Sequence, residues 1–172
     1  MKIDLKIVSL LAIAALSFGA MPLPTYTKAD LTGRFEPETH KSFVRVANEY
    51  ASQNTYLRKE TYAAFVKMAK AAQKDGVTLT IVSGTRNHSR QTEIWTEKWN
   101  TFEGDTLERL EEILSYSSMP GTSRHHWGTD FDINSVEPAH FESGSGEKTY
   151  AWLAENASNF GFFQPYVEFG AA

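Results

Sequence analysis

The stretch SRHHWGTDFD, Ser123–Asp132, packs two histidines, a glycine and two aspartates into a short span of a 172-residue chain that has 5 histidines in all. Continued through Ile133 and Asn134, its second half alternates Thr129, Phe131 and Ile133 with Asp130, Asp132 and Asn134. Successive side chains of a strand point to opposite faces, so a strand here puts both aspartates on one face and the apolar residues on the other. His125 lies upstream across Trp127 and Gly128, where glycine permits the tight bend that would fold the imidazole back over the polar face. An imidazole and a carboxylate so placed suit a metal ion: Zn2+ accepts both at ~2.0–2.2 Å, and a catalytic zinc takes about three protein ligands plus a water. The spacing fits a solvated polar loop running into a capped strand equally well, and from the residues alone both readings stay open.

Working outward, Met119-Pro120-Gly121 breaks the pattern just before this stretch. Asp105 and Glu108 have capping-box spacing ahead of Leu107, Leu110, Ile113 and Leu114, which predicts one helix, and Ser89 to Trp99 reads as another. VTLTIV, Val77–Val82, alternates as a strand does and ends at Ser83-Gly84. It follows a helix whose apolar positions are Phe65, Met68, Ala69 and Ala72 and whose stop is Gly76, just after Lys74. Phe43, Val46, Ala47 and Tyr50 also recur at helical spacing and predict a further amphipathic helix. Trp95, Trp99 and Trp152 fall at helical positions and are expected in the core rather than on a substrate platform.

Composition bounds the function. With 41% hydrophobic and 13% aromatic residues the chain can bury the core of one domain. A net charge of -4 and the lack of any basic run exclude a nucleic-acid footprint. Lys2 and Lys6 precede the apolar run Ile7–Ala20, which is short for a spanning helix of roughly 20 residues and reads as a secretory signal. Small residues allow cleavage after Gly19 or after Ala29. Residues 1–29 are therefore expected to be a signal and short leader, 30–172 the domain, and the protein periplasmic or secreted, without a stable membrane anchor and monomeric. There are 0 cysteines, so neither a lipidated cysteine nor a disulfide is available.

SRHHWGTDFD fits the pattern Ser-x-His-x-x-Gly-x-x-x-Asp, and SGTRNHSRQ, Ser83–Gln91, fits Ser-x-x-Arg-x-x-x-x-Gln. In both motifs and in their order the chain resembles the zinc D-Ala-D-Ala carboxypeptidases of the M15 type, the VanY-like enzymes that trim peptidoglycan stem peptides, over roughly Leu57 to Tyr166. The resemblance implies an α+β fold, a single hedgehog/D,D-peptidase-like domain with helices packed around an antiparallel sheet. It implies that His125 and Asp132 are ligands of Zn2+, that Arg86 faces the scissile carbonyl, that Gln91 supports substrate or arginine, and that Ser123 holds substrate near its terminal carboxylate. Asp130 replaces the commoner Ala of the motif and is expected to accept a hydrogen bond from a ligand histidine. His126 is expected to point elsewhere as a structural residue.

The family's third ligand and catalytic glutamate come from a Glu/Trp-His stretch downstream of a segment like GFFQPY, Gly161–Tyr166. No Trp-His pair occurs in these 172 residues, and neither His88, His140 nor Glu168 lies in a matching context. The expectation is a zinc metallopeptidase that removes the terminal D-Ala of stem peptides, with the given chain short of part of that machinery. The alternatives are a non-catalytic peptidoglycan-binding or interaction module on the same fold, and an L-alanyl-D-glutamate endopeptidase.

Overall fold

The structure is a computed structural model and describes residues 25–165. The apolar run Ile7–Ala20 and the segment from Tyr166 on, with Glu168, lie outside the described residues. In chain order the elements are α1 (Lys28–Thr32), β1 (Phe43–Arg45), β2 (Tyr56–Arg58), α2 (Lys59–Lys74), β3 (Ile81–Ser83), α3 (His88–Thr101), α4 (Thr106–Tyr116), β4 (Asp132–Ile133) and α5 (Gly144–Asn156). A 3-10 turn, Arg124–Trp127, precedes β4.

The core forms around α2, whose buried face carries Phe65, Met68, Ala69 and Ala72 at the expected spacing. Val46, Leu57, Leu79, Ile81 and Trp152 close around it, with Phe131 and Ile133 packed against the cluster. The helix ends at Lys74, and Gly76 at φ +75° turns the chain so that the Val77 N–H returns to the Ala72 carbonyl at 2.9 Å. A left-handed backbone at this point is what glycine supplies without a Cβ penalty. Trp152 lies in this core as expected, its indole N–H donated to Asp75 at 2.8 Å. No helix among the described residues is long and apolar enough to cross a membrane.

The fold is the mixed α+β arrangement expected, but its antiparallel sheet comes as two ribbons, β1 with β2 and β3 with β4. A parallel bridge between Ala51 and Ile81 ties one to the other. This bridge explains one departure from the sequence reading. The helix expected over Phe43 to Tyr50 is instead strand β1 and a turn, because its backbone groups are used elsewhere. Val46 N–H bonds the Thr55 carbonyl at 2.9 Å and the Tyr50 carbonyl accepts from Ile81 N–H at 2.8 Å. Phe43 and Val46 are still buried, so the helical spacing reflected burial rather than helix. The paired strand in Val77–Val82 is also shorter than its alternation suggested. Leu79 and Ile81 do turn inward, but Thr80 is paired through Asn134, whose side-chain carbonyl accepts its N–H at 2.7 Å and whose own N–H bonds the Thr80 carbonyl at 2.7 Å.

Candidate functional site

The site forms where the 3-10 turn crosses the end of β3. Ser123, buried, stands at the N-cap of the turn, and Gly128 closes it at φ +74°. A Cβ on Gly128 would meet the Phe43 ring and the Arg58 side chain, so the bend expected there is needed for conformation and for space. Arg58 fixes the turn from β2: its Nε donates to the Trp127 carbonyl at 2.6 Å and its N–H to the Gly128 carbonyl at 3.0 Å.

This bend places His125 over β4. Its Nδ1 lies 2.9 Å from the Gly84 carbonyl, an acceptor, so Nδ1 carries the proton and Nε2 presents a lone pair. That lone pair faces Asp132 Oδ2 at 3.6 Å. Burial, and after it the Arg86 guanidinium, push the His125 imidazole down to about 4, so it is neutral at pH 7. Asp132 sits opposite Ser83 in the β3–β4 pair. Burial raises its carboxyl above the usual range, while Arg86 and a hydrogen bond from Ser83 act the other way. A neutral imidazole nitrogen and a carboxylate oxygen turned toward each other are two acceptors without a shared proton. Their separation exceeds a hydrogen bond and suits two ligands each ~2.0–2.2 Å from one small cation. The pair fits zinc. Among the described residues no cluster of three or more His, Asp or Glu gathers as a metal site.

Arg86 follows β3 across Gly84 and Thr85. Burial lowers its guanidinium, opposed by the charges of Asp132 and Asp130, and its Nε is buried without a hydrogen-bond partner. It remains the cation facing the two carboxylates, since an arginine does not deprotonate in proteins. Asp130 is not hydrogen-bonded to a histidine as expected; it pairs with Arg124 at 3.5 Å, because the backbone carbonyl of Gly84 already takes His125 Nδ1. Phe131 between them packs edge-on against Phe65, so the alternation read from Thr129 to Asn134 does sort carboxylates from core. Gln91 is buried in the first turns of α3, its amide donated to the Ser118 carbonyl at 2.7 Å and its side-chain oxygen left without a partner.

Residues 54–171 match the family described as VanY, D-alanyl-D-alanine carboxypeptidase. This chain belongs to the VanY family. A D-alanyl-D-alanine carboxypeptidase of Enterococcus faecalis is 34% identical over 99 residues, a match covering 56% of this chain and 35% of that protein. The chain thus spans about a third of that relative. Among solved structures, VanYB in complex with D-alanine-D-alanine is 29% identical at a TM-score of 0.58, covering 69% of this chain and 65% of that one. The E175A mutant of the vancomycin-resistance D,D-pentapeptidase VanY in complex with Zn(II) is 25% identical at a TM-score of 0.54, covering 68% of each.

In this VanY-family chain several contacts at the site were not read from the sequence. Ser83, the last residue of β3, stands opposite Asp132 in the register and acts to lower its carboxyl against the effect of burial. Gly84 supplies the carbonyl that orients His125, and a Cβ there would press on Thr55 Oγ1 and the Tyr56 carbonyl. The Ser-Gly pair before Arg86 was the available signal. Trp95, expected in the core, is half-buried and donates its indole N–H to the Ser118 carbonyl at 2.6 Å, the acceptor that Gln91 also uses. His88 lies against Arg34 rather than His125, with 3.1 Å between His88 Nε2 and the guanidinium. His140 packs on Phe141.

Proposed function

We propose that the Arg86, His125 and Asp132 site is that of a zinc-dependent D-Ala-D-Ala carboxypeptidase acting on peptidoglycan stem peptides. The observation that carries this reading is the His125 Nε2 lone pair facing Asp132 Oδ2 at 3.6 Å, with Arg86 beside both. His125 and Asp132 would hold the ion. The chemistry supplied by zinc in such a place is polarisation of a carbonyl and acidification of a bound water. The protein does the rest by position. The Gly84 carbonyl keeps the His125 proton on Nδ1, so Nε2 stays available. Arg86, desolvated and permanently charged, holds negative charge developing on the scissile carbonyl oxygen, a role whose removal costs about 10²–10³ in turnover. Ser123, buried at the turn's N-cap, holds the peptide near its terminal carboxylate, and Gln91, whose side-chain oxygen has no partner, supports substrate or Arg86. The apolar run Ile7–Ala20 directs export to the periplasm or exterior, where peptidoglycan lies; N-terminal sequencing of exported protein that begins at Met1 would count against this.

The test is titration of D-Ala-D-Ala into the protein with and without zinc. Binding should require zinc, vanish in His125→Ala together with the metal, and weaken in Arg86→Ala with zinc retained. Equal binding after chelation sinks the reading. A second reading is a non-catalytic peptidoglycan-binding or interaction module on the same fold, in which the same residues bind the peptide without cleaving it. The two part on a chromatographic measurement of D-Ala released from a stem pentapeptide: the peptidase releases it, whereas the module binds without release.

A further inference from the structure

We infer that His126 is a positioning residue for Arg86, fixing the arginine's backbone so that its guanidinium is aimed at the His125 and Asp132 pair. The inference rests on the reading of Arg86 as the substrate-facing cation. Two successive imidazoles of the 3-10 turn grip the loop after β3. His125 Nδ1 donates to the Gly84 carbonyl at 2.9 Å and His126 Nδ1 donates to the Arg86 carbonyl at 2.7 Å, while Arg86 N–H bonds the His125 carbonyl at 3.2 Å. Arg86 is therefore held at both its N–H and its carbonyl by this histidine pair.

The second histidine has no freedom to let go. Its Nε2 accepts the Gly121 N–H at 2.9 Å, which with the donating Nδ1 assigns a single neutral tautomer. The ring is 0% exposed, stacks on His88 at 6.5 Å between centroids, and meets Gly33 so closely that any side chain there would strike it. The arginine side chain needs such a base. Its buried Nε has no hydrogen-bond partner, so no side-chain bond at Nε sets its direction. Its aim comes from where the backbone is pinned and from the pull of Asp132 and Asp130. A site tolerates little displacement of such a group, and positioning of this kind depends on shells behind the reacting residues.

The test compares His126→Phe, which fills the space without a donor, with His126→Asn, whose amide nitrogen can take the place of Nδ1. Two readouts are taken on the zinc-loaded chain: D-Ala-D-Ala affinity, and the NMR signal of the Arg86 Nε–H, assigned by its loss in Arg86→Ala. His126→Phe should weaken the dipeptide roughly 10-fold and broaden the Arg86 signal while zinc affinity stays within about twofold, and His126→Asn should restore both. In the Arg86→Ala background His126→Phe should add nothing further, because its effect passes through Arg86. His126→Gln, whose amide reaches the Nε2 position instead, replaces Phe if that variant does not fold. An unchanged Arg86 signal, or a cost that adds fully to that of Arg86→Ala, overturns the inference. If the unaltered protein does not bind D-Ala-D-Ala, the functional reading fails by itself, and the Arg86 signal still decides the role of His126.

Discussion

At the scale of single residues, His125 combines two demands that oppose each other in water. It must stay neutral to offer Nε2, and it must lie within reach of a carboxylate, which ordinarily favours the imidazolium. Burial wins, with Arg86 adding to it, and the group is pushed down to about 4. The sign for stability follows. The unfolded histidine takes up its proton near 6.5 and the folded one near 4, so stability is full above 6.5 and falls as the pH drops through that window, by up to about 1.4 kcal/mol per pH unit. Asp132, whose carboxyl is raised, contributes in the opposite sense. Denaturant midpoints between pH 7 and pH 4 should therefore fall less steeply in His125→Gln than in the unaltered protein. Parallel curves would mean that the imidazole is not held neutral. Zinc affinity, measured by dye competition, should change little between pH 7 and pH 6, where an ordinary histidine ligand would begin to lose the metal to its proton; at lower pH the raised Asp132 carboxyl competes as well.

Among the elements, those with local causes were legible and those with distant partners were not. The capping box of α4 is present as read, with Asp105 accepting from Leu107 and Glu108 N–H and Glu108 reaching back to the Asp105 N–H. The stop of α2 at Gly76 and the inward turn of Phe131 and Ile133 were readable for the same reason, because each depends on residues a few positions apart. The segment Phe43 to Tyr50 was misread because its hydrogen bonds go to Thr55 and Ile81, and no local period encodes such partners. The site shows the same division: the His125 and Asp132 spacing stood in one stretch, whereas the grip of His126 on Arg86 spans 40 positions. Gly128 joins the two cases, since the bend was legible and the crowding by Phe43 and Arg58 was not. Gly128→Ala should accordingly cost roughly 2–4 kcal/mol, the strain of a left-handed Ala plus the overpacking. Urea unfolding would check it, and a loss below about 1 kcal/mol would mean that the 3-10 turn shifts away from β2 at little cost.

For the whole molecule, the site and the core are separate sources of stability that meet at β4. Ile133 packs with the cluster of Leu57, Phe65 and Met68, and Asp132 beside it faces His125. A ligand that binds the folded state stabilises it by mass action, about 2.7 kcal/mol at a hundred times its Kd. Zinc should therefore raise the Tm of the protein in a concentration-dependent way, and His125→Ala or Asp132→Ala should remove that rise while lowering the metal-free Tm modestly. Phe65→Ala should behave in the reverse manner. It empties the most buried part of the core, costs about 3–5 kcal/mol, and leaves the zinc-induced rise in place as long as β4 still pairs with β3. The two effects should add in Phe65→Ala/His125→Ala, because the ring does not touch the imidazole and packs instead on Phe131 and Tyr50. A zinc-induced rise that survives in His125→Ala would move the metal to other ligands, and one that disappears in Phe65→Ala would show that the core sets the geometry of the pair through β4.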